Sequence, residues 1–212
     1  MEDFFSLYAK DYAPASGKQF ELEEAPCPYR FCSTEEEHNA LLHAQLVDDG
    51  KVLVAADGLA FMPHEDVKKI YIRSHYTALL AKIETYLQDK DQRPKVMVTG
   101  TPGVGKSMFA PIVLRHIMAK SRFERIALQI YAAPKSTRFY SFQRQDGVWK
   151  HCHHRGFRPE LVISDVSYEG EPPFAVPGIR NVLIASPRVS SSLLSVVGLS
   201  LTIHFTSVFA QG

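Results

Sequence analysis

The stretch Lys95-Val96-Met97-Val98-Thr99-Gly100-Thr101-Pro102-Gly103-Val104-Gly105-Lys106-Ser107 decides how the rest of the chain is read. Lys95 to Thr99 has the apolar character of a short buried strand, and the residues from Lys106 to about Ala119 have a helical pattern. Between them, Gly100 and Gly105 let the backbone turn tightly, with Pro102 and Gly103 shaping the loop further. Backbone N–H groups freed in such a turn, together with the positive end of the following helix, attract anionic oxygens. A lysine and a hydroxyl at the helix start complete a phosphate cradle. Gly100, Gly105, Lys106 and Ser107 occupy every fixed position of the P-loop pattern. Residues Gly100, Thr101, Pro102, Gly103, Val104, Gly105, Lys106, Ser107 and Met108 are the expected contacts of a nucleoside triphosphate.

Lys106 is expected at the β- and γ-phosphates and Ser107 on Mg2+. The metal needs an acid as well. Leu161-Val162-Ile163-Ser164-Asp165 reads as an apolar strand ending in an aspartate, which suits Asp165 as the second Mg2+ ligand, although a helix cap or a turn is the ordinary use of such an aspartate. A water-activating carboxylate is harder to place, because Val166 follows Asp165. Glu169 is the nearest candidate, and a solvated loop acid is its alternative reading. Ser186 and Arg188, after the strand Asn181 to Ala185, are candidates for sensing the γ-phosphate and stabilising transition-state charge, or else for a plain Ser-Pro turn.

Working outward, the alternation of strands and helices continues. Arg125 to Tyr131 is a strand. Arg138 to Gln143 and Val148 to Cys152 form a hairpin through Gln145-Asp146-Gly147. Leu161 to Ile163 and Asn181 to Ala185 are further short apolar strands. Strands apolar on both faces and separated by crossings predict a mainly parallel α/β sheet flanked by helices, with the hairpin inserted. Upstream, residues 1–62 read as a small α+β lead-in. It holds a helix from Thr34 to Val47, with Ser33 as N-cap and Glu36 as its capping-box partner, and a strand from Lys51 to Ala56. Residues 63–94 read as a helix from Pro63 to Leu87 and a polar linker ending at Pro94. The P-loop core then spans 95–188 and an atypical serine-rich apolar tail 189–212.

The composition fits a globular chain. Its 212 residues suffice for one sizeable domain, or one with an appendage, and 45% of them are hydrophobic. Twenty-four basic residues against 23 acidic ones leave a net charge of +1, which gives no electrostatic ground for nucleic acid as a partner. Cys27, Cys32 and Cys152 are too few and too odd in number for a disulfide framework, and read as reduced thiols of an intracellular protein. No apolar run reaches the roughly 18 residues of a membrane span, and the N-terminus lacks the pattern of a secretory signal, so the expectation is a soluble, cytoplasmic chain. His151-Cys152-His153-His154 lacks a second ligand pair at metal-binding spacing, as do Cys27 and Cys32, so a zinc site is not expected at either.

Three segments together, Ile70-Tyr71-Ile72-Arg73-Ser74-His75-Tyr76, the glycine loop, and Val182-Leu183-Ile184-Ala185-Ser186-Pro187-Arg188, resemble the P-loop NTPase module shared by Crinkler-type effectors of oomycetes and retrotransposon hot spot proteins. The resemblance covers about Val67 to Arg188. It implies an ATP-binding module, often joined to a nuclease-like domain, in proteins secreted or acting in a host cell. It also implies that Lys106 and Ser107 bind phosphate and Mg2+ and that Asp165 is the acidic Mg2+ ligand. Two departures stand out. No translocation motif of the Leu-Phe-Leu-Ala-Lys kind precedes the module, Phe5-Ser6-Leu7-Tyr8-Ala9-Lys10 being a faint echo. After Arg188 the likeness ends, which the notion of a truncated C-terminus would explain.

These observations predict an ATP-binding domain, as a slow ATPase with Lys106, Asp165 and Glu169 at the chemistry. They leave open a non-hydrolysing switch that presents a surface to a protein partner, and an inactive truncated fragment. A small-molecule kinase ranks below these, because no lid is evident.

Overall fold

The computed structural model describes residues 34–61, 66–88, 95–101, 105–120, 122–131, 137–152, 157–166, 179–186 and 201–205. Its centre is a sheet of seven strands: β4 (Lys95–Gly100), β5 (Arg125–Tyr131), β6 (Thr137–Gln145), β7 (Val148–His151), β8 (Leu161–Val166), β9 (Arg180–Ala185) and β10 (Leu201–Phe205). They lie in the order β10-β4-β9-β8-β5-β6-β7. The first five of these are mutually parallel, and β6 and β7 extend the sheet antiparallel beyond β5. From β4 the chain passes over two positions to β5, returns through β8 and β9, and ends with β10 on the far side of β4. The order therefore turns around at β4. In open α/β sheets the crevice at the carboxyl end of such a strand is where ligands bind.

The alternation of side chains divides the sheet into two unlike faces. Val96, Val98, Ile126, Leu128, Ile130, Leu161, Ile163, Val182 and Ile184 belong to one continuous core with α3 (Lys106–Lys120) and the N-terminal elements. On α3, Phe109, Ala110, Ile112, Val113, Leu114, Ile117 and Met118 are all buried, so this helix is enclosed on most sides rather than amphipathic. The helix runs through Pro111, which lacks the N–H that would bond the Ser107 carbonyl. The opposite face holds Ala127, Phe139, Phe157 and Val162 together with buried polar groups, among them Ser164, whose hydroxyl donates to Gln129 Oε1 at 3.2 Å.

Ahead of the sheet lie α1 (Glu35–Leu42), a three-stranded antiparallel sheet of β1 (Gln45–Val47), β2 (Val52–Val54) and β3 (Lys69–Tyr71), and α2 (Ser74–Leu87). Several sequence expectations are corrected here. The helix expected to reach Val47 ends at Leu42, and Leu46 and Val47 join β1, turning back through Asp48, Asp49 and Gly50, all at positive φ. Its cap is Thr34, whose hydroxyl accepts from the Glu37 N–H at 3.2 Å while the Glu37 carboxylate accepts from the Thr34 N–H at 2.7 Å. The expected capping box was thus displaced by one residue, because Thr-x-x-Glu and Ser-x-x-Glu overlap in Ser33-Thr34-Glu35-Glu36-Glu37. The helix expected from Pro63 starts only at Ser74. Ile70 and Tyr71, which fit a helical period, pair instead with Leu53 and Val52. The tail contains strand β10, unanticipated although Leu201-Thr202-Ile203-His204-Phe205 alternates apolar and polar residues, and β10 flanks β4. The hairpin turn is as expected: Asp146 and Gly147 both have positive φ, as a two-residue type I′ turn requires.

His38 fastens α1 to the hairpin. The side chain is fully buried, its Nδ1 lies 2.8 Å from the Thr34 carbonyl and its Nε2 accepts the Ser141 backbone N–H at 3.1 Å. Those partners fix the tautomer with the proton on Nδ1. The rings of Tyr140 and Phe142 meet the imidazole edge-on, each at 5.3 Å. His38→Leu should lower unfolding free energy by roughly 1–3 kcal/mol, since it strands a buried strand N–H, and His38→Gln should recover part of that. Urea unfolding with unchanged slope tests this. Equal loss in both variants would assign the effect to ring packing instead.

No described helix is long and apolar enough to cross a membrane.

Candidate functional site

Register brings the carboxyl ends of β4, β9 and β8 level, with Thr99 beside Ala185 and Ala185 beside Val166. Asp165 precedes Val166 and pairs with Ile184 on one side and Ile130 on the other. It therefore points to the α3 side of the sheet, where the loop after β4 enters the helix. Sequence spacing alone located these parts. The parallel strand order is what joins them.

At the head of α3, the Lys106 ammonium donates to the carbonyls of Gly100 at 2.6 Å and Thr101 at 2.7 Å. The lysine, at the end of the loop, thus ties back to its beginning. Desolvation lowers its pKa, and the nearby Asp165 charge opposes that shift. The Ser107 hydroxyl hydrogen-bonds the Asp165 carboxylate. Burial pushes the Asp165 pKa up to about 7, against the lowering pull of Lys106 and Ser107. Its Oδ2 is buried with no hydrogen-bond partner among the described residues. A buried carboxylate oxygen left without a partner is costly, and a divalent cation is one means of satisfying it. Ser107 and Asp165 offer hard oxygen donors, which is the ligand chemistry of Mg2+, an ion that otherwise keeps water and phosphate oxygens. The residues present fit that ion.

Gly105 shows why a glycine stands there. Its φ is +91°, and a Cβ added to it would lie 2.7 Å from Tyr76 Oη and 3.7 Å from Arg73 Cζ. Tyr76, on the first turn of α2, donates its hydroxyl to the Gly105 carbonyl at 3.2 Å, and the Met108 N–H reaches the same carbonyl at 3.1 Å. In a trans peptide the C=O and the following N–H point in opposite directions. Holding the Gly105 carbonyl against α2 therefore turns the Lys106 N–H toward the opposite side. Tyr76 is itself immobilised, being 1% exposed with its ring 5.0 Å from that of Phe109. Sequence reading attached no chemical role to Arg73 or Tyr76. Both belong to the segment Ile70 to Tyr76 that carries part of the resemblance, but no local pattern there assigns them a contact with the loop.

The remaining candidates divide. Gly100, Thr101, Gly105, Lys106, Ser107, Met108 and Asp165 gather at the loop, and Ser186 stands half-buried just beyond β9. Pro102, Gly103, Val104, Glu169 and Arg188 lie outside the described residues, as do Cys27, Cys32, His153 and His154. Among the described residues no group of three or more His, Cys, Asp or Glu side chains could hold a metal. Cys152 is a free thiol whose pKa burial raises, with Sγ 3.4 Å from Gln143 Oε1. That environment suits packing more than reactivity.

No family profile, curated protein or solved structure matches the chain.

Proposed function

We propose that the chain binds a nucleoside triphosphate, ATP with Mg2+, in the loop between β4 and α3. The observation that carries this is the meeting of Lys106, Ser107 and the partly unsatisfied, deeply buried Asp165 carboxylate at the ends of parallel strands. Lys106 would exchange loop carbonyls for phosphate oxygens, retaining charge-assisted bonds throughout. Ser107 and Asp165 would hold Mg2+, which supplies positive charge against the phosphate oxygens. The start of α3 adds the helix-end field, which acts in the same direction. The resemblance to Crinkler-type and retrotransposon hot spot modules supports the same reading, since Arg73 and Tyr76, in a segment that partly carries it, lie against Gly105.

A second reading, a nucleotide-dependent switch without turnover, draws on a specific arrangement. Val166 follows Asp165 where a water-activating acid would be useful, and Tyr76 ties the loop to an element that continues from the small N-terminal sheet. Positioning and electrostatics dominate phosphoryl transfer, so binding can survive where hydrolysis is slow.

Titration with a fluorescent ATP analogue, with and without Mg2+, tests the proposal. Lys106→Ala should weaken binding roughly 10- to 100-fold, the worth of a lost charge-assisted contact. Phosphate release in the same samples separates ATPase from switch. A folded wild-type chain that does not bind would sink both.

A further inference from the structure

We infer that Arg73 is a second phosphate-binding cation of this site, supplied by the junction between the small N-terminal sheet and α2. The inference rests on the nucleotide reading above and adds to it a residue from outside the loop. Arg73 is fixed at its backbone on both sides. The Ile72 N–H bonds the Lys51 carbonyl at 2.7 Å, extending the small sheet, and the Tyr76 N–H bonds the Arg73 carbonyl at 2.9 Å, starting α2. Its backbone is extended, with φ −75° and ψ 147°, and its side chain makes no capping bond to the helix. From that joint the guanidinium reaches the loop, with Cζ 3.7 Å and Nη2 3.8 Å from the position a Gly105 Cβ would take. Gly105 immediately precedes Lys106, so two cations approach one short piece of backbone from different elements.

The charge is also felt locally. Burial lowers the pKa of His75, and Arg73 lowers it further. Arg73 also opposes the burial that raises the Tyr76 pKa. A neutral imidazole and a neutral phenol beside it leave the cationic character of this corner to Arg73. A guanidinium presents several donors in a planar fork that suits phosphate oxygens, and it stays charged at any physiological pH. A cation placed there acts on the polyphosphate rather than on the base. Its removal should therefore cost the same for ATP, for GTP and for inorganic tripolyphosphate.

The division of labour with Tyr76 follows from the contacts. Tyr76 holds the Gly105–Lys106 peptide from behind and is a positioning residue. Arg73 has the charge and the reach to touch the ligand. Nucleotide binding would then bridge the small sheet and the loop, because Arg73 stands at the end of one and beside the other.

The test compares wild type with Arg73→Met, which keeps an apolar stem of similar length, and Arg73→Lys, which keeps the charge. Each is titrated with Mg2+-ATP analogue and by competition with Mg2+-tripolyphosphate, after thermal unfolding of the ligand-free proteins has been compared. Arg73→Met should weaken both ligands by about tenfold or more, with a shallower dependence of affinity on salt, and Arg73→Lys should recover part of the loss. A structural role alone would shift the melting temperature and leave the salt dependence intact. If Arg73→Met binds both ligands like wild type while Lys106→Ala does not, Arg73 has no phosphate role and the nucleotide reading survives. If the wild type binds neither ligand, both are overturned. Loss for ATP without loss for tripolyphosphate would also overturn the inference, since it would place Arg73 at the nucleoside.

Discussion

Asp165→Asn should make the ligand-free protein more stable at pH 8 and at the same time abolish the Mg2+ dependence of nucleotide binding. The two effects have one cause. Burial raises the folded-state pKa of Asp165 to about 7 from an ordinary value of 3.8. Between those values the folded chain holds a proton that the unfolded chain has released. Stability therefore falls as pH rises from about 4 toward 7, and the lost part does not return above it. The separation of the two values puts a ceiling on the order of 4 kcal/mol on the effect, and relaxation of the site will lower it. Asparagine keeps an oxygen for the Ser107 hydroxyl and carries no charge. Lys106 retains its two carbonyl acceptors, so removing the carboxylate does not leave the ammonium unsatisfied. Urea unfolding of both proteins at pH 4 and pH 8 should show curves that nearly coincide at the lower pH and separate at the higher one. A variant less stable than wild type at pH 8 would show that the Asp165 carboxylate is ionised and well satisfied without metal.

The binding half of the prediction has the opposite sign. A metal ligand must be deprotonated, so Mg2+ held by Asp165 would displace its proton and should bind more weakly as pH falls below 7. In wild type the enhancement of nucleotide affinity by Mg2+ should shrink by up to about tenfold per pH unit below that point. In Asp165→Asn it should be absent at every pH. A site that gains stability by losing one carboxyl charge, and loses ligand by the same change, is one whose cost is offset only when the ligand arrives.

Local chemistry explains which parts of this arrangement were legible in the sequence. The glycine loop announced itself because each fixed residue has a separate reason to be there. Asp165 could be placed because it closely follows the apolar run Leu161-Val162-Ile163. Asp146-Gly147 gave the hairpin turn, since few dipeptides accept two successive positive φ values. The failures concern long-range pairing. Ile70 and Tyr71 satisfy a helical period and a strand alternation equally well over so short a span, and only pairing with β2 decides between them. Strand β10 does carry a local signal, the alternation of Leu201, Ile203 and Phe205 with Thr202 and His204. The serine-rich apolar composition around it obscured that signal, and only pairing with β4 gives it a place in the sheet. The same limit hid Arg73 and Tyr76. They meet a loop far along the chain, and nothing in their own neighbourhood assigns them that contact. Glu169 and Arg188, chosen by proximity to a strand end, lie outside the described residues.

Gly105→Ala should be the most damaging single substitution in the loop, and Tyr76→Phe separates its two causes. One is backbone conformation, since φ of +91° costs a side chain on the order of 1–2 kcal/mol. The other is space, since the new methyl would stand 2.7 Å from Tyr76 Oη. Tyr76 cannot swing aside cheaply, because it is buried against Phe109. Overpacking of this kind costs about 1–3 kcal/mol. Tyr76→Phe alone removes one hydrogen bond, worth about 1 kcal/mol, and opens the space the methyl needs. In the double variant the steric part should vanish while the conformational part persists. Its destabilisation should therefore fall short of the sum of the single effects by roughly 1–3 kcal/mol. Nucleotide affinity should not recover in parallel. The peptide that aims the Lys106 N–H loses one of the two hydrogen bonds on its carbonyl with the tyrosine hydroxyl. The double variant should therefore be less stable than Tyr76→Phe only by the conformational cost of about 1–2 kcal/mol and still bind at least about tenfold more weakly than wild type. Strict additivity in a four-protein unfolding cycle would remove the steric argument. Full recovery of affinity in the double variant would remove the positioning role of Tyr76, leaving the glycine required for room alone.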